Sequence, residues 1–180
     1  MDSSLRERMH FIKSGKIDPP PIAKTLGINL DDVGEGTAVA TMKVDSRFYN
    51  PMGTVHGGIL TDLADLSLGV AAASLLKDGE SFTTLELKIN FLRPVFETTL
   101  RAEAKVVHKG KTIEVVETIL KNSEGKDVAR AVATQFIISP MPSRSLQELR
   151  GIDRDHSELI IESVKELETE HREEAIRESG

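Results

Sequence analysis

The sequence contains no cysteine and no tryptophan, and aromatic residues make up only 4% of its 180 positions. The absence of cysteine excludes disulfide bonds, thiolate catalysis and cysteine-based metal sites. No apolar run reaches the ~20 residues that a membrane-spanning helix requires. The first residues also lack the basic segment and apolar core of a secretory signal, so we expect a cytoplasmic protein that does not bind membranes.

Positive charge is scarce as well, because the net charge is −6. The excess lies in residues 140–180, where 6 Lys and Arg stand against 11 Asp and Glu, and the preceding residues are almost neutral. Nucleic-acid-binding proteins normally show a strongly basic surface, so we expect no such partner. Neither glycine-rich phosphate-loop pattern is present, and the five histidines show no paired ligand spacing. Nucleotide hydrolysis, dinucleotide redox chemistry and a metal site are therefore not predicted.

The length favours one domain with a hydrophobic core and short additions. We predict an N-terminal helical segment at 1–26, a core domain at 27–139 and a charged helical C-terminal extension at 140–180. Apolar residues four and three apart predict a short amphipathic helix between Ser3 and Ser14. In the C-terminal extension the apolar stripe is thin, so we expect its helix to pack on the core domain or on a neighbouring subunit.

Most of the core domain shows the alternation of apolar and polar residues that is typical of strands. Segments 28–33 and 37–44 flank a Gly-Glu-Gly turn and predict a hairpin. Four more strands follow residue 80 without a helix between them, so they must pair antiparallel. In the first of these four, the alternation predicts one buried face formed by Leu85, Leu87, Ile89 and Phe91.

One long helix, predicted from Gly57 to about Leu76, separates the hairpin from the other strands. Its side chains are apolar on nearly every face, which indicates a helix enclosed by protein. One flat sheet cannot cover such a helix. We therefore expect an α+β fold in which a curled antiparallel sheet wraps around one long central helix, with a second protomer covering the remainder. This arrangement, with helical extensions at both ends, is a hotdog fold.

Asp62 and Asp65 lie three residues apart on one face of this helix, where unpaired carboxylates would be costly. In a partly buried cleft, a carboxylate near a polarised carbonyl acts as a general base toward water or as a nucleophile. Both acids could equally be structural and satisfied by backbone N–H groups or arginine. The spacing alone leaves both interpretations open.

Gly57 and Gly58 begin the helix, where backbone N–H groups have no partner within the helix. Such donors, at the positive end of the helix dipole, suit a carbonyl oxygen that becomes negative during a reaction. A glycine pair is also a common flexible start for a helix. Asp65 lies about two turns further on, too far to act with the N-terminus of its own helix. Two antiparallel helices across a two-fold axis would bring them together.

Other polar residues near these positions have two possible roles. His56 either orients a reacting group or caps the helix. Positive side chains gather at one hairpin turn and at the end of the preceding strand, namely Lys105, His108, Lys109, Lys111 and Arg93. This charge favours a phosphorylated ligand, although exposed turn lysines are commonly only solvated.

Asn50, the run His56-Gly57-Gly58, the run Leu63-Ala64-Asp65 and the strand at 83–94 together resemble one family. It is the phenylacetate-pathway (PaaI-like) type of hotdog acyl-CoA thioesterase, and the resemblance covers roughly residues 25–138. It implies that the Gly57 N–H polarises the thioester carbonyl. It also implies that Asp65 of the facing subunit is the nucleophile or general base.

The resemblance implies further roles for single residues. Asn50 and His56 are expected to place substrate or water, and Thr84 to assist beside the aspartate. The substrate-binding residues that we expect are Gly58, Thr84, Arg93, Lys109 and Lys111.

By the same resemblance, the reaction is hydrolysis of an acyl-CoA thioester to a free acid and coenzyme A. A homodimer forms the active site and commonly assembles into a homotetramer. No metal or redox cofactor is implied, since coenzyme A is part of the substrate. Two alternatives are a hotdog that binds or senses acyl-CoA without turnover, and a scaffold whose acidic C-terminal helix recruits another protein. Aryl-acetyl and fatty acyl groups are both open.

Overall fold

The computed structural model describes residues 4–140, so the predicted helix of the C-terminal extension lies outside the described residues. Helix α1 (Leu5–Lys13) lies within the range predicted for a short amphipathic helix and begins with Ser4 as its cap. Ser4 Oγ accepts from the Glu7 N–H at 3.3 Å, and the Glu7 carboxylate accepts from the Ser4 N–H at 3.1 Å. This capping box satisfies two of the donors that a helix start leaves free. Helix α2 (Pro21–Leu26) follows, and a left-handed Gly27 with φ 71° ends it.

Six strands form one antiparallel sheet. Their bounds are β1 (Ile28–Gly34), β2 (Thr37–Val44), β3 (Ser81–Phe91), β4 (Thr98–Lys109), β5 (Ile113–Lys121) and β6 (Asp127–Ile138). Their order in the sheet is β1-β2-β4-β5-β6-β3. The predicted β1–β2 hairpin and the antiparallel pairing of the later strands are confirmed. Strand β3 pairs with β6 rather than with β4, and it therefore forms one edge of the sheet.

Helix α3 (Gly57–Ala73) packs on the concave face of the sheet, against β2, β4, β5 and β6. Leu63, Ala64 and Leu68 have no exposed surface there. The Ser67 and Thr118 hydroxyls lie 3.2 Å apart and link the helix to β5 by a buried hydrogen bond. A sheet curled around one central helix is the hotdog fold that the sequence predicts. Across residues 4–140, no helix combines the length and the apolarity needed to cross a membrane.

The helix ends at Ala73, three residues before its predicted end. The next residue, Ser74, donates from its hydroxyl to Ala71 O at 2.7 Å and accepts from the Gly36 N–H at 2.8 Å. The β1–β2 turn is thus tied to the C-terminal end of α3, which fixes the position of the helix along the sheet.

One face of α3 is not covered by the sheet of its own chain. Asp62 and Asp65 are exposed on that face, and Leu66 and Gly69 are only partly buried. These positions recur at intervals of three and four residues, so they form one stripe along the helix. The sheet of one chain therefore leaves part of the helix uncovered, and the acids lie on that part. Cover of this stripe by a second protomer stays a prediction.

Strand β3 follows the predicted alternation only in part. A β-bulge at Leu85 adds one residue to the strand, and this side chain is 60% exposed. Leu87 and Ile89 pack against the core, but Phe91 is 52% exposed. The predicted buried face is wrong at both ends, because the bulge interrupts the alternation and because the strand lies at the sheet edge.

Candidate active site

Asn50 shapes the turn that leads into α3. Its Oδ1 accepts from the N–H groups of Met52 and Thr54 at 2.9 and 3.3 Å, and its Nδ2 donates to Thr54 Oγ1 at 3.0 Å. Gly53 completes the turn with φ 76°, a conformation that favours glycine. The Asn50 oxygen is thus engaged within the loop, and a direct contact of Asn50 with substrate or water stays a prediction.

His56 is the N-cap of α3. Its Nδ1 accepts from the Gly58 N–H at 2.9 Å, and its own N–H donates to Phe48 O at 2.8 Å. Of the two roles open at the sequence level, the structure shows the cap. A nitrogen that accepts carries no proton, so the neutral ring keeps its proton on Nε2. The Gly58 N–H, expected to bind substrate, is already bound to the cap.

The cap leaves Gly57 as the open donor at the helix start. Among residues 4–140, no group accepts a hydrogen bond from the Gly57 N–H. The Phe91 ring packs against this glycine, since an added Cβ would lie 2.9 Å from Phe91 Cζ. The donor lies at the positive end of the α3 dipole, where a developing negative charge is stabilised.

Gly57 and Asp65 line two different cavities of the chain. Gly57, Asn50 and Arg93 line one of about 430 Å³. Asp65 lines another of about 310 Å³, together with Asp62 and Thr84. The apolar walls of the second cavity include side chains of the N-terminal segment, namely Leu5, Met9, Pro20 and Ile22. Neither cavity, nor any other part of residues 4–140, contains three His, Asp or Glu side chains grouped to hold a metal ion.

The Asp65 carboxyl has a raised pKa. The surrounding protein disfavours its charged form by desolvation, and the neighbouring Asp62 adds repulsion in the same direction. Thr84 lies close enough to lower the pKa by donating its hydroxyl to Asp65. In the structure, however, this hydroxyl donates to Gln135 Oε1 at 2.9 Å. A carboxylate with a raised pKa is a stronger base, which suits it to accept a proton from water.

Sequence reasoning missed Gln135, which has no exposed surface. The signal was present, because Gln135 follows Ala131 and Ala133 on the buried face of β6. A large amide at such a position needs hydrogen-bond partners and so indicates a polar network in the core.

The positive residues are partly engaged by the fold itself. Lys109 Nζ donates to Glu114 Oε1 and to Leu75 O, both at 2.6 Å. A contact of Lys109 with a phosphorylated ligand stays a prediction. Arg93 donates to the main-chain oxygen of Asp127 while lining the Gly57 cavity. Lys111 is exposed, and its binding role stays a prediction.

The curled sheet, the open Gly57 N–H and the Asp65 carboxyl are features that suit a hydrolase of activated acyl groups. The chain belongs to the thioesterase superfamily, whose family model matches residues 52–129. It is 39% identical over 108 residues to the acyl-coenzyme A thioesterase PaaI of Escherichia coli, covering 59% of this chain and 75% of that protein. It is 34% identical over 102 residues to the 1,4-dihydroxy-2-naphthoyl-CoA hydrolase of Escherichia coli, covering 56% and 74%.

Solved structures agree with this assignment. The Escherichia coli PaaI protein from the phenylacetic acid degradation operon superposes with a TM-score of 0.67 at 32% identity, covering 77% of this chain and 99% of that one. A thioesterase from Haemophilus influenzae superposes with a TM-score of 0.64 at 29% identity, covering 69% and 87%. The predictions of a hotdog fold and a PaaI-like thioesterase are confirmed, and the chain is a thioester hydrolase.

The raised pKa of Asp65 predicts a pH-dependent gain in stability for Asp65→Asn. The folded protein holds this proton more tightly than the unfolded chain does. Its stability therefore falls as pH rises from the ordinary pKa of 3.8 through the raised folded value. The asparagine side chain does not titrate, so the variant does not undergo this loss of stability with rising pH. We expect its Tm to match the parent below pH 3.8 and to exceed it at neutral pH, in thermal unfolding at equal protomer concentration.

Asp45→Asn is a control of opposite sign. The Arg47 guanidinium and N–H lower the pKa of Asp45 to about 2, so the stability that Asp45 contributes is present at neutral pH. This variant should lose stability at pH 7 and recover relative to the parent as pH falls toward 2. A Tm difference for Asp65→Asn that is constant with pH would contradict the raised pKa.

Proposed function

We propose that this thioesterase hydrolyses an acyl-CoA thioester to a free carboxylic acid and coenzyme A, at a site formed by two protomers. The observation that carries the proposal is the separation of Gly57 and Asp65 into two cavities of one chain. Each chain thus contains half of two sites rather than one complete site. The similarity to the PaaI thioesterase and to the naphthoyl-CoA hydrolase supports a CoA thioester as the substrate.

The edge strand β3 supports a homodimer. Within residues 4–140 no strand lies beside its outer main-chain groups, and exposed apolar side chains lie on it and just beyond it. These are Leu85, Phe91, Leu92 and Phe96, with 47–60% of their surface exposed. An apolar edge of this kind is a surface for pairing with another strand. Two-fold antiparallel pairing of β3 with its copy would place the two α3 helices side by side in opposite directions.

In this site, the Gly57 N–H binds the thioester carbonyl oxygen and stabilises its negative charge as the tetrahedral intermediate forms. Asp65 of the facing protomer takes a proton from water while the water oxygen bonds to the carbonyl carbon. The intermediate then breaks its carbon–sulfur bond. Asp65 returns the proton to the leaving thiolate, which departs as coenzyme A, and the acyl group departs as the free acid.

The two cavities suit the two parts of such a substrate. The cavity beside Asp65 is mostly apolar, with Met9 and Ile22 from the N-terminal segment, Val70 from α3 and Phe82 from β3 among its walls. It is suited to the acyl group. The cavity at Gly57 contains Arg93 at its rim, so a coenzyme A phosphate meets a positive charge there.

Gly57→Pro should abolish most of the activity. Gly57→Ala should retain most of it, because the half-exposed Phe91 ring that meets the added Cβ can move aside. Proline fits the first helical position and lacks the N–H. His56, with φ −61° and ψ 137°, already has the extended conformation required before proline. Loss of one oxyanion donor lowers kcat by about 10²–10³. The assay is release of free thiol from acyl-CoAs that differ in chain length and aromaticity.

Gly57→Ala is the matched control, because it places the same Cβ against Phe91 and keeps the N–H. Equal losses in both variants would show that packing, and not the donor, carries the effect. Binding of acyl-CoA by the parent protein without thiol release would favour the binding module.

Asp65→Asn and Gly57→Pro, each inactive alone, should recover activity when mixed under conditions of subunit exchange. Each mixed dimer contains one site with both intact groups, and half of the dimers are mixed, so about a quarter of the parent activity returns. A mixture that stays inactive while subunit exchange is demonstrated would place the whole site within one chain.

A further inference from the structure

Three polar residues form a row across three neighbouring strands beneath α3. Glu114 on β5 lies directly opposite Gln135 on β6, and Gln135 lies directly opposite Thr84 on β3. Glu114 and Gln135 have no exposed surface. Thr84 lines the Asp65 cavity, so the row runs from the interior of the fold to the candidate catalytic acid. Buried polar groups of this kind cost stability unless each is hydrogen-bonded.

Two atoms of this row are buried without a hydrogen-bond partner among the described residues, namely Glu114 Oε2 and Gln135 Nε2. One accepts and the other donates. Directly opposite residues on one face of a sheet have Cβ atoms about 4.5–5.5 Å apart, within reach of these two long side chains. The two unpaired atoms are an acceptor and a donor on directly opposite residues, and no hydrogen bond joins them in the structure.

The chemistry of Glu114 sets the direction of hydrogen bonding along the row. Its other oxygen pairs with Lys109 Nζ at 2.6 Å, and a carboxylate only accepts hydrogen bonds. An acceptor opposite Gln135 favours the amide nitrogen on the Glu114 side, and in the structure Gln135 Oε1 lies toward Thr84. The Thr84 hydroxyl has a single proton and donates it to Gln135 Oε1 at 2.9 Å.

We propose that Gln135, oriented by Glu114, is a positioning residue that withdraws the Thr84 proton from Asp65, so that Thr84 accepts a hydrogen bond on its catalytic side. The inference rests on the function proposed above. With Thr84 accepting one hydrogen of the attacking water and Asp65 the other, a lone pair of the water oxygen is directed at the carbonyl carbon. Asp65 receives no hydrogen bond from Thr84 and stays a stronger base.

The charged groups around this row are few. Asp62 on α3 is the other ionisable group lining the Asp65 cavity within residues 4–140, since α1, α2 and β1 contribute apolar side chains to it. At the far end of the row, Lys109 on β4 faces Glu114 on β5. A change at Gln135 therefore alters the hydrogen bonding of Asp65 and leaves its charged neighbours in place.

The test is the pH profile of kcat/KM for Gln135→Met, which keeps the side-chain length and removes both hydrogen-bonding ends. With its partner removed, Thr84 can donate to Asp65 and stabilise the anion. We expect the acidic limb of the profile to move to lower pH by roughly one unit, with kcat reduced about tenfold. In a Thr84→Val background, the same change should not move the limb.

Glu114→Gln tests the direction of hydrogen bonding from the other end of the row. An amide at position 114 can donate as well as accept, so it no longer favours one orientation of Gln135. The acidic limb of the kcat/KM profile should move to lower pH, but by less than in Gln135→Met. Thr118→Val is the matched control, since Thr118 is buried on the same face of β5 and bonds Ser67 outside the row. This variant should leave the limb in place.

A limb that does not move in Gln135→Met or in Glu114→Gln, measured on folded and active protein, overturns the proposal. A parent protein without thioesterase activity overturns the proposed function instead. A second measurement, of thermal stability, does not require catalytic activity. In a Gln135→Met background, the extra stability of Asp65→Asn at neutral pH should shrink, since the Asp65 anion is then stabilised by Thr84.

Discussion

The fixed rise of helix α3 keeps Gly57 and Asp65 of one chain apart. Eight residues separate Gly57 from Asp65, and at the α-helical rise this separates them by about 12 Å along the axis. A thioester carbonyl and its attacking water occupy a much smaller space, so the donor and the acid of one helix cannot act on the same bond. The uncovered stripe of α3 and the apolar edge of β3 are in keeping with this constraint, because the proposed second protomer would cover both.

The start of α3 is arranged so that one donor is left for substrate. A helix start normally has several free N–H groups. Here His56 accepts from Gly58 with its side chain and from Ile59 with its main chain, at 2.9 and 3.0 Å. Asn50 holds the preceding turn, so the loop is fixed before any ligand arrives. The residues that resemble the family motif therefore act here mainly by shaping the surroundings of Gly57.

Local sequence patterns predicted the helices and strands well. The exposure and contacts of some side chains depend on how the strands pair, which local patterns do not show. The period of the strands and the composition of α3 sufficed for the hotdog fold, and the spacing of apolar residues sufficed for α1. The exposure of Leu85 and Phe91 was not predicted, because the crossing of β3 to β6 and its bulge depend on a partner about fifty residues away. The engagement of Lys109 by the fold was also not predicted. Its ion pair with Glu114 joins residues that lie opposite each other in the β4–β5 hairpin, and Leu75 O, just beyond α3, accepts from the same Nζ.

The pairing of β3 with β6 also affects the order in which the sheet forms during synthesis. When β3 has been synthesised, the strand that will pair with it is still to come, since β6 spans Asp127–Ile138 at the end of the domain. Until then β3 has no neighbour on either side, and its apolar residues are open to water and to other chains. Pairing over such a sequence distance closes late and slowly. The last pairing of the sheet would thus also complete the surface on which the second protomer is expected to dock, so that assembly waits for a finished chain.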